Sequence, residues 1–209
     1  MDPRPIDIDT PQGPARAHLH LPQGPPRAAL VLGHGAGGGV AAPDLVAATG
    51  VALDLGLAVA LVEQPYRLAG RRAAPRAPRL DEAWTAVVGH LAAGPLAGLA
   101  LVTGGRSSGA RVACRTAAAA GAIGVLCLAF PVRPPARAGV APRPDRLPEL
   151  DGVAVPVLVV QGERDPFGMP PEAPGRTVAR IAGDHSLRSD VAALRAAVGG
   201  WLEGLLPPV

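Results

Sequence analysis

Lysine is missing altogether: all 20 Lys-or-Arg positions are arginine. That removes the Schiff-base lysine of pyridoxal phosphate chemistry and the lysine of a phosphate-binding P-loop. Aromatic residues are scarce too, at 2% of the chain, so the core has to rely on aliphatic strands and alanine-rich helices that lie close to a sheet. The two cysteines, Cys114 and Cys127, sit in apolar segments without metal-ligand spacing. They suit buried free thiols in a reducing cytoplasm better than a disulfide framework. Met1-Asp2-Pro3-Arg4-Pro5 has no apolar signal core, and no run of about 18 apolar residues follows, so neither secretion nor a membrane partner is expected. One sign of charge is only slightly in excess, at a net +3. Arg67, Arg71, Arg72, Arg76 and Arg79 cluster, but without interleaved aromatics to stack on bases. They read as a solvated or anion-attracting rim, not as a nucleic-acid site.

What is present fits one domain over residues 1–209, since a chain of that length can bury a layered core, and 48% of it is apolar. Glycine and proline are abundant but interspersed, as turn punctuation. Ile6 and Ile8, then Ala17 and Leu19, alternate with polar neighbours and predict two antiparallel, half-exposed strands. After Gln23-Gly24-Pro25-Pro26 the pattern changes to continuous apolar runs at 28–32, 57–62, 99–102, 123–129 and 155–160, with a weaker one at 177–181. Helix-length stretches at 43–55, 80–93, 107–120 and 189–204 separate them. Alternation of this kind predicts an α/β fold: a mostly parallel sheet with helices on both faces and an antiparallel N-terminal edge. Residues 64–79 and 131–147, rich in Pro and Arg, read as irregular loops too short for a lid domain. Each follows the carboxyl end of a predicted strand, where open α/β sheets build ligand sites.

Gly105-Arg106-Ser107-Ser108-Gly109 fits G-x-S-x-G between a predicted strand and a predicted helix. That is the setting of a nucleophile elbow, a tight turn that lifts a serine oxygen above the sheet. The chain has only four serines and two fall here, which favours this reading over a helix-capping turn. Ser107 would be the nucleophile, and the Ser108 N–H would help form an oxyanion hole. Gly33-His34-Gly35-Ala36-Gly37-Gly38-Gly39 follows an earlier strand. The Ala36 N–H, flanked by Gly35 and Gly37, would supply the second donor. His34 would orient that loop by hydrogen bonding. The loop fits G-x-G-x-x-G only loosely and lacks a ribose-binding acid, so a dinucleotide site is disfavoured.

A serine nucleophile needs a base, and the base an orienting acid. His185 is the only histidine beyond His90. Asp165 ends the turn after the strand at 155–160; Glu163 is its reserve, and Asp184, next to His185, would face away from the ring. His18, His20 and His90 lack a nameable third ligand, so no metal is expected. Trp84 and Trp201, at helical spacing among aliphatics, read as core or interface residues.

With HGAGGG, GGRSSG, QGERDPFG and GDHSL in this order, the sequence resembles the α/β-hydrolase family over nearly its whole length. It is most similar to small, lidless members related to dienelactone hydrolases and testis-expressed hydrolase-like proteins. The resemblance implies a single-domain, lidless α/β-hydrolase fold, cofactor-free hydrolysis, and a triad of Ser107, Asp165 and His185. Dienelactone hydrolases carry a cysteine nucleophile where this chain has Ser107, so dienelactone itself is not the implied substrate. A small-molecule ester or thioester is. A non-catalytic module binding a protein or acyl metabolite, and an acyltransferase with the same triad, are the alternatives. Either a monomer or a homodimer fits.

Overall fold

The apolar runs assemble into one eight-stranded sheet in this computed structural model, which describes residues 3–134 and 144–206. In chain order the strands and helices are β1 (Arg4–Thr10), β2 (Gly13–His20), β3 (Ala28–Gly33), α1 (Pro43–Asp54), β4 (Leu57–Glu63), α2 (Pro65–Leu68) and α3 (Ala77–Ala93). They continue as β5 (Leu101–Arg106), α4 (Ser108–Thr116), β6 (Gly124–Leu128), α5 (Leu147–Asp151), β7 (Val157–Gly162), β8 (Arg176–Ile181) and α6 (Val191–Leu205). The spatial order is β1-β2-β4-β3-β5-β6-β7-β8. Only the β1–β2 and β2–β4 pairings are antiparallel, so the N-terminal hairpin forms the antiparallel edge of a sheet otherwise parallel.

Strand periodicity divides the core between the two faces. Leu30 and Leu32 of β3 join a cluster with α1 and α6, whereas Ala29 and Val31 face Trp84 and Leu91 of α3. All six residues of β3 are buried, as a strand covered on both sides requires. The alanines Ala15, Ala17, Ala29, Ala58 and Ala60 share the α3 face with fully buried Trp84. Small strand residues leave room there for the indole, and each fully buried large aliphatic side chain contributes about 1.5–3 kcal/mol. A third cluster packs α4 and α5 against Val125, Cys127, Val157 and Val159.

Several boundaries differ from the sequence expectation for local reasons. β7 starts at Val157 because Pro156 has no N–H to give a ladder. β5 starts later than expected and runs through Gly104 and Gly105, which pair with β6 and β3 despite poor strand propensity. α4 stops at Thr116, and a turn closed by Ala122 N–H donating to the Ala117 carbonyl follows. The segment 64–79 holds the short α2 and the start of α3. Much of 131–147 lies outside the described residues, although α5 begins at its end. Among the described residues no helix is long and apolar enough to cross a membrane.

Candidate active site

Ser107 stands between β5 and α4 with φ 52° and ψ −107°. A positive φ on a residue with a Cβ costs on the order of 1–3 kcal/mol and persists only where the surroundings over-determine it. Here they do. The Ser107 N–H donates to the Leu128 carbonyl at the end of β6 (2.9 Å), and its carbonyl accepts from Arg111 N–H (3.2 Å). Gly109 lies directly on the end of β3, where an added Cβ would overlap the Gly33 carbonyl oxygen and come within 2.9 Å of the His34 carbonyl oxygen. The glycine after the serine is therefore what lets strand and helix close on one another.

The turn after β8 brings His185 to the serine. Its Nε2 lies 3.0 Å from Ser107 Oγ and its Nδ1 lies 2.8 Å from Asp165 Oδ2. Leu187, fully buried, anchors this turn in the α1–α6 cluster, and Asp184 holds its exposed side by accepting from Ser186 N–H at 2.8 Å. The Phe167 ring lies tilted against the imidazole with centroids 4.4 Å apart. Asp165 is nearly fully buried, and its carboxylate is held by two further donors: Gln161 Nε2 on Oδ2 (2.8 Å) and Phe167 N–H on Oδ1 (2.8 Å). With its orientation fixed in this way, Asp165 binds the Nδ1–H tautomer that leaves Nε2 facing the hydroxyl. Glu163, the reserve acid, is exposed and makes no such contact. Asp184 is exposed, and its carboxylate accepts from Ser186 N–H and Oγ.

The glycine loop after β3 abuts the same point. Gly38 N–H donates to the Gly35 carbonyl (3.1 Å), making a turn with Ala36 and Gly37 at its tip. A Cβ on Gly35 would sit 3.6 Å from the Ser107 Cβ. Ser108 opens α4, and the first N–H groups of a helix lack partners within it, so this end favours developing negative charge. His34 is buried and holds the loop: Nδ1–H donates to the Gly35 carbonyl (2.9 Å) and Nε2 accepts from Gln64 N–H (3.1 Å). Burial pushes its pKa below the ordinary value and keeps the ring neutral. Tyr66 Oη donates to the Ala36 carbonyl (2.9 Å), and burial pushes that phenol up to about 12, so it stays a donor.

Three contributors were not singled out by sequence: Gln161, the Gln64 backbone on His34, and Tyr66. Their partners are 4 to 30 residues away, and such pairings carry no local period. The expected pocket loops are placed in part. A depression of about 320 Å³ is lined by Gly38, Gly39, Arg106, Ser186 and Arg188, which include the chain neighbours of Ser107 and His185 but neither of those two residues. A larger one of about 420 Å³, between Gln12, Gln64, Tyr66, Arg71 and Arg79, lies to the β4 side and does not touch Ser107 or His185. Cys114 and Cys127 are buried free thiols with sulfurs 3.5 Å apart, and this contact, with burial, pushes the Cys127 thiol well up, away from thiolate chemistry. Among the described residues no group of three or more His, Cys, Asp or Glu could hold a metal ion. His18 instead contacts Glu63 at 2.8 Å.

Comparison with known proteins gives one family: the model described as alpha/beta hydrolase domain matches residues 26–192. No curated protein sequence matches. Among solved structures, an α/β serine hydrolase without lid from Xanthomonas campestris superposes with a TM-score of 0.81 at 20% identity, covering 100% of this chain and 97% of that one. Est1E from Butyrivibrio proteoclasticus, bound to ferulic acid, gives 0.76 at 16% identity over 96% and 98% of the two chains. Dienelactone hydrolase from Anabaena variabilis gives 0.75 at 16% identity over 99% and 100%. At these identities the likeness is one of fold.

Proposed function

The chain belongs to the alpha/beta hydrolase domain family, and from that premise we propose that it is a serine hydrolase cleaving a carboxylic ester or thioester through an acyl-enzyme. The observation that carries this reading is the unbroken line from Ser107 Oγ to His185 Nε2 (3.0 Å) and from Nδ1 to Asp165 (2.8 Å), set on a strained elbow. Ser107 Oγ attacks the substrate carbonyl as His185 Nε2 removes its proton. Asp165 accepts from Nδ1–H and stabilises the imidazolium. The Ala36 and Ser108 N–H groups receive the oxyanion, each worth about 3 kcal/mol of barrier. Collapse expels the alcohol or thiol, which takes the proton from His185. Water, deprotonated by the same imidazole, then attacks the acyl-serine and releases the acid.

Residues 1–209 act as one domain on a small-molecule substrate, and the paired reduced thiols suit a cytoplasmic setting. A fluorophosphonate probe tests the nucleophile. Wild type is expected to be labelled and to hydrolyse p-nitrophenyl acetate. Ser107→Ala is expected to lose labelling, with kcat down by about 10⁵–10⁶. Labelling that persists in the variant sinks the assignment, and a folded but probe-silent wild type favours a binding module.

A further inference from the structure

Asp44, in the first turn of α1, is fully buried. Its Oδ1 accepts from the neighbouring Leu45 N–H (3.0 Å), but Oδ2 has no hydrogen-bond partner. What compensates Oδ2 is charge: the Arg106 Nε lies 2.7 Å away in an ion pair. Burial pushes the Asp44 carboxyl up, and the Arg106 charge opposes that shift.

Arg106 is the residue immediately before Ser107, and its guanidinium reaches further. Nη2 donates to the His185 carbonyl at 2.9 Å. Nη1 fills the space beside Gly35, where an added Cβ would lie 3.2 Å from it. One side chain thus touches the glycine loop, the elbow and the His185 turn, the three segments that carry the candidate chemistry. The planar fork makes this possible, because Nε faces the Asp44 carboxylate while Nη2 donates to the His185 carbonyl, whereas an ammonium is a single point.

We propose that Arg106, pinned by Asp44, is the positioning residue of this site: it holds the His185 carbonyl and so keeps the imidazole aligned on Ser107. The proposal rests on the reading of Ser107 and His185 as nucleophile and base. An arginine that only stabilised the fold would lower the melting temperature without changing turnover in the folded enzyme. A positioning arginine lowers kcat at unchanged KM, since a misplacement of about 1 Å can cost about 100-fold.

The experiment measures kcat and KM for p-nitrophenyl acetate, well below each variant's melting midpoint, on wild type, Ser107→Ala, Arg106→Gln, Arg106→Lys and Asp44→Asn. If wild type is no faster than Ser107→Ala, the hydrolase reading fails, and the proposal with it, before any Arg106 variant is read. Given Ser107-dependent turnover, Arg106→Gln is expected to lose about 10–100-fold in kcat with KM within about twofold. Arg106→Lys should recover part of that loss. Asp44→Asn should lose less than Arg106→Gln. Should Arg106→Gln fail to fold, the double variant with Asp44→Asn, which leaves no unpaired buried charge, is read in its place. Retention of kcat within about twofold, or a raised KM at unchanged kcat, overturns the proposal.

Discussion

On the β6–β8 side of Ser107 the chain is held by backbone and buried polar contacts. Ser107 N–H reaches Leu128 at the end of β6, and Asp165 after β7 is fixed by Gln161 and Phe167. On the β4 side, Gln64 and Tyr66 tie the start of segment 64–79 to the glycine loop, whereas residues 71–79 are mostly exposed. After the four-residue α2, Arg71, Arg72, Arg76 and Arg79 are exposed, and Arg71 and Arg79 line the larger depression. On the proposed reading, charge develops at a fixed point on the first side, where a preorganised donor is worth most. The second presents side chains that can vary without disturbing that point, as recognition surfaces carried on loops do.

The sharpest way to break this contrast is to exchange the two acids at the β7 turn. Asp165→Asn is expected to lower kcat by about 10⁴, because the amide can present a donor to Nδ1 and favour the wrong tautomer. Glu163→Gln, on the exposed side of the same turn, should leave kcat within about twofold. Comparable losses in both, measured with p-nitrophenyl acetate, would mean that the acid is not specified by the tight side at all.

Much of the rigid frame was readable as pattern. Continuous apolar runs marked β3, β4, β6 and β7, and Ser107, Asp165 and His185, each expected near the end of a predicted strand, lie within hydrogen-bond distance in series. The choice between Asp165 and Glu163 was not settled by pattern. It depends on a turn in which Asp165 N–H reaches the Gly162 carbonyl (3.0 Å) and the carboxylate swings under Gln161. Arg106 and Asp44 were invisible for another reason. An ion pair between β5 and α1 has no periodicity, and surface arginine is so common here that one inward-reaching Arg does not stand out. The short α2 and α5 were hidden by proline, which also starts helices at their first turn.

A smaller effect than loss of the acid is expected from packing. Gly109→Ala would push a methyl group into the Gly33 carbonyl, and neither β3 nor the elbow backbone can yield cheaply. The expected destabilisation is about 3 kcal/mol or more, at the upper end of overpacking costs. Arg72→Ala, in the exposed segment, should stay within about 0.5 kcal/mol of wild type. Urea unfolding of the two variants measures the difference. Equal stabilities would show that the elbow is as tolerant as the loop.

The smallest effect concerns His34, where the two sides meet: Nδ1–H holds Gly35 on one and Nε2 accepts from Gln64 on the other. Burial lowers the pKa of this ring below 6.5, with Arg67 adding to the shift and the Gly35 carbonyl and Glu63 opposing it. The unfolded chain therefore binds the proton more readily than the folded one. Stability from neutral His34 is fully present above the ordinary value of 6.5 and is lost as pH falls through it toward the depressed folded value. Protonated Nε2 also becomes a donor and can no longer accept from Gln64 N–H. Melting midpoints taken from about pH 8 down to about pH 5 should thus fall more steeply for wild type than for His34→Gln. His20, also lowered by burial but farther from the site, contributes the same slope to both proteins, so the difference isolates His34. Parallel curves would mean that the ring does not couple the two sides, and that the glycine loop is held by its own turn alone.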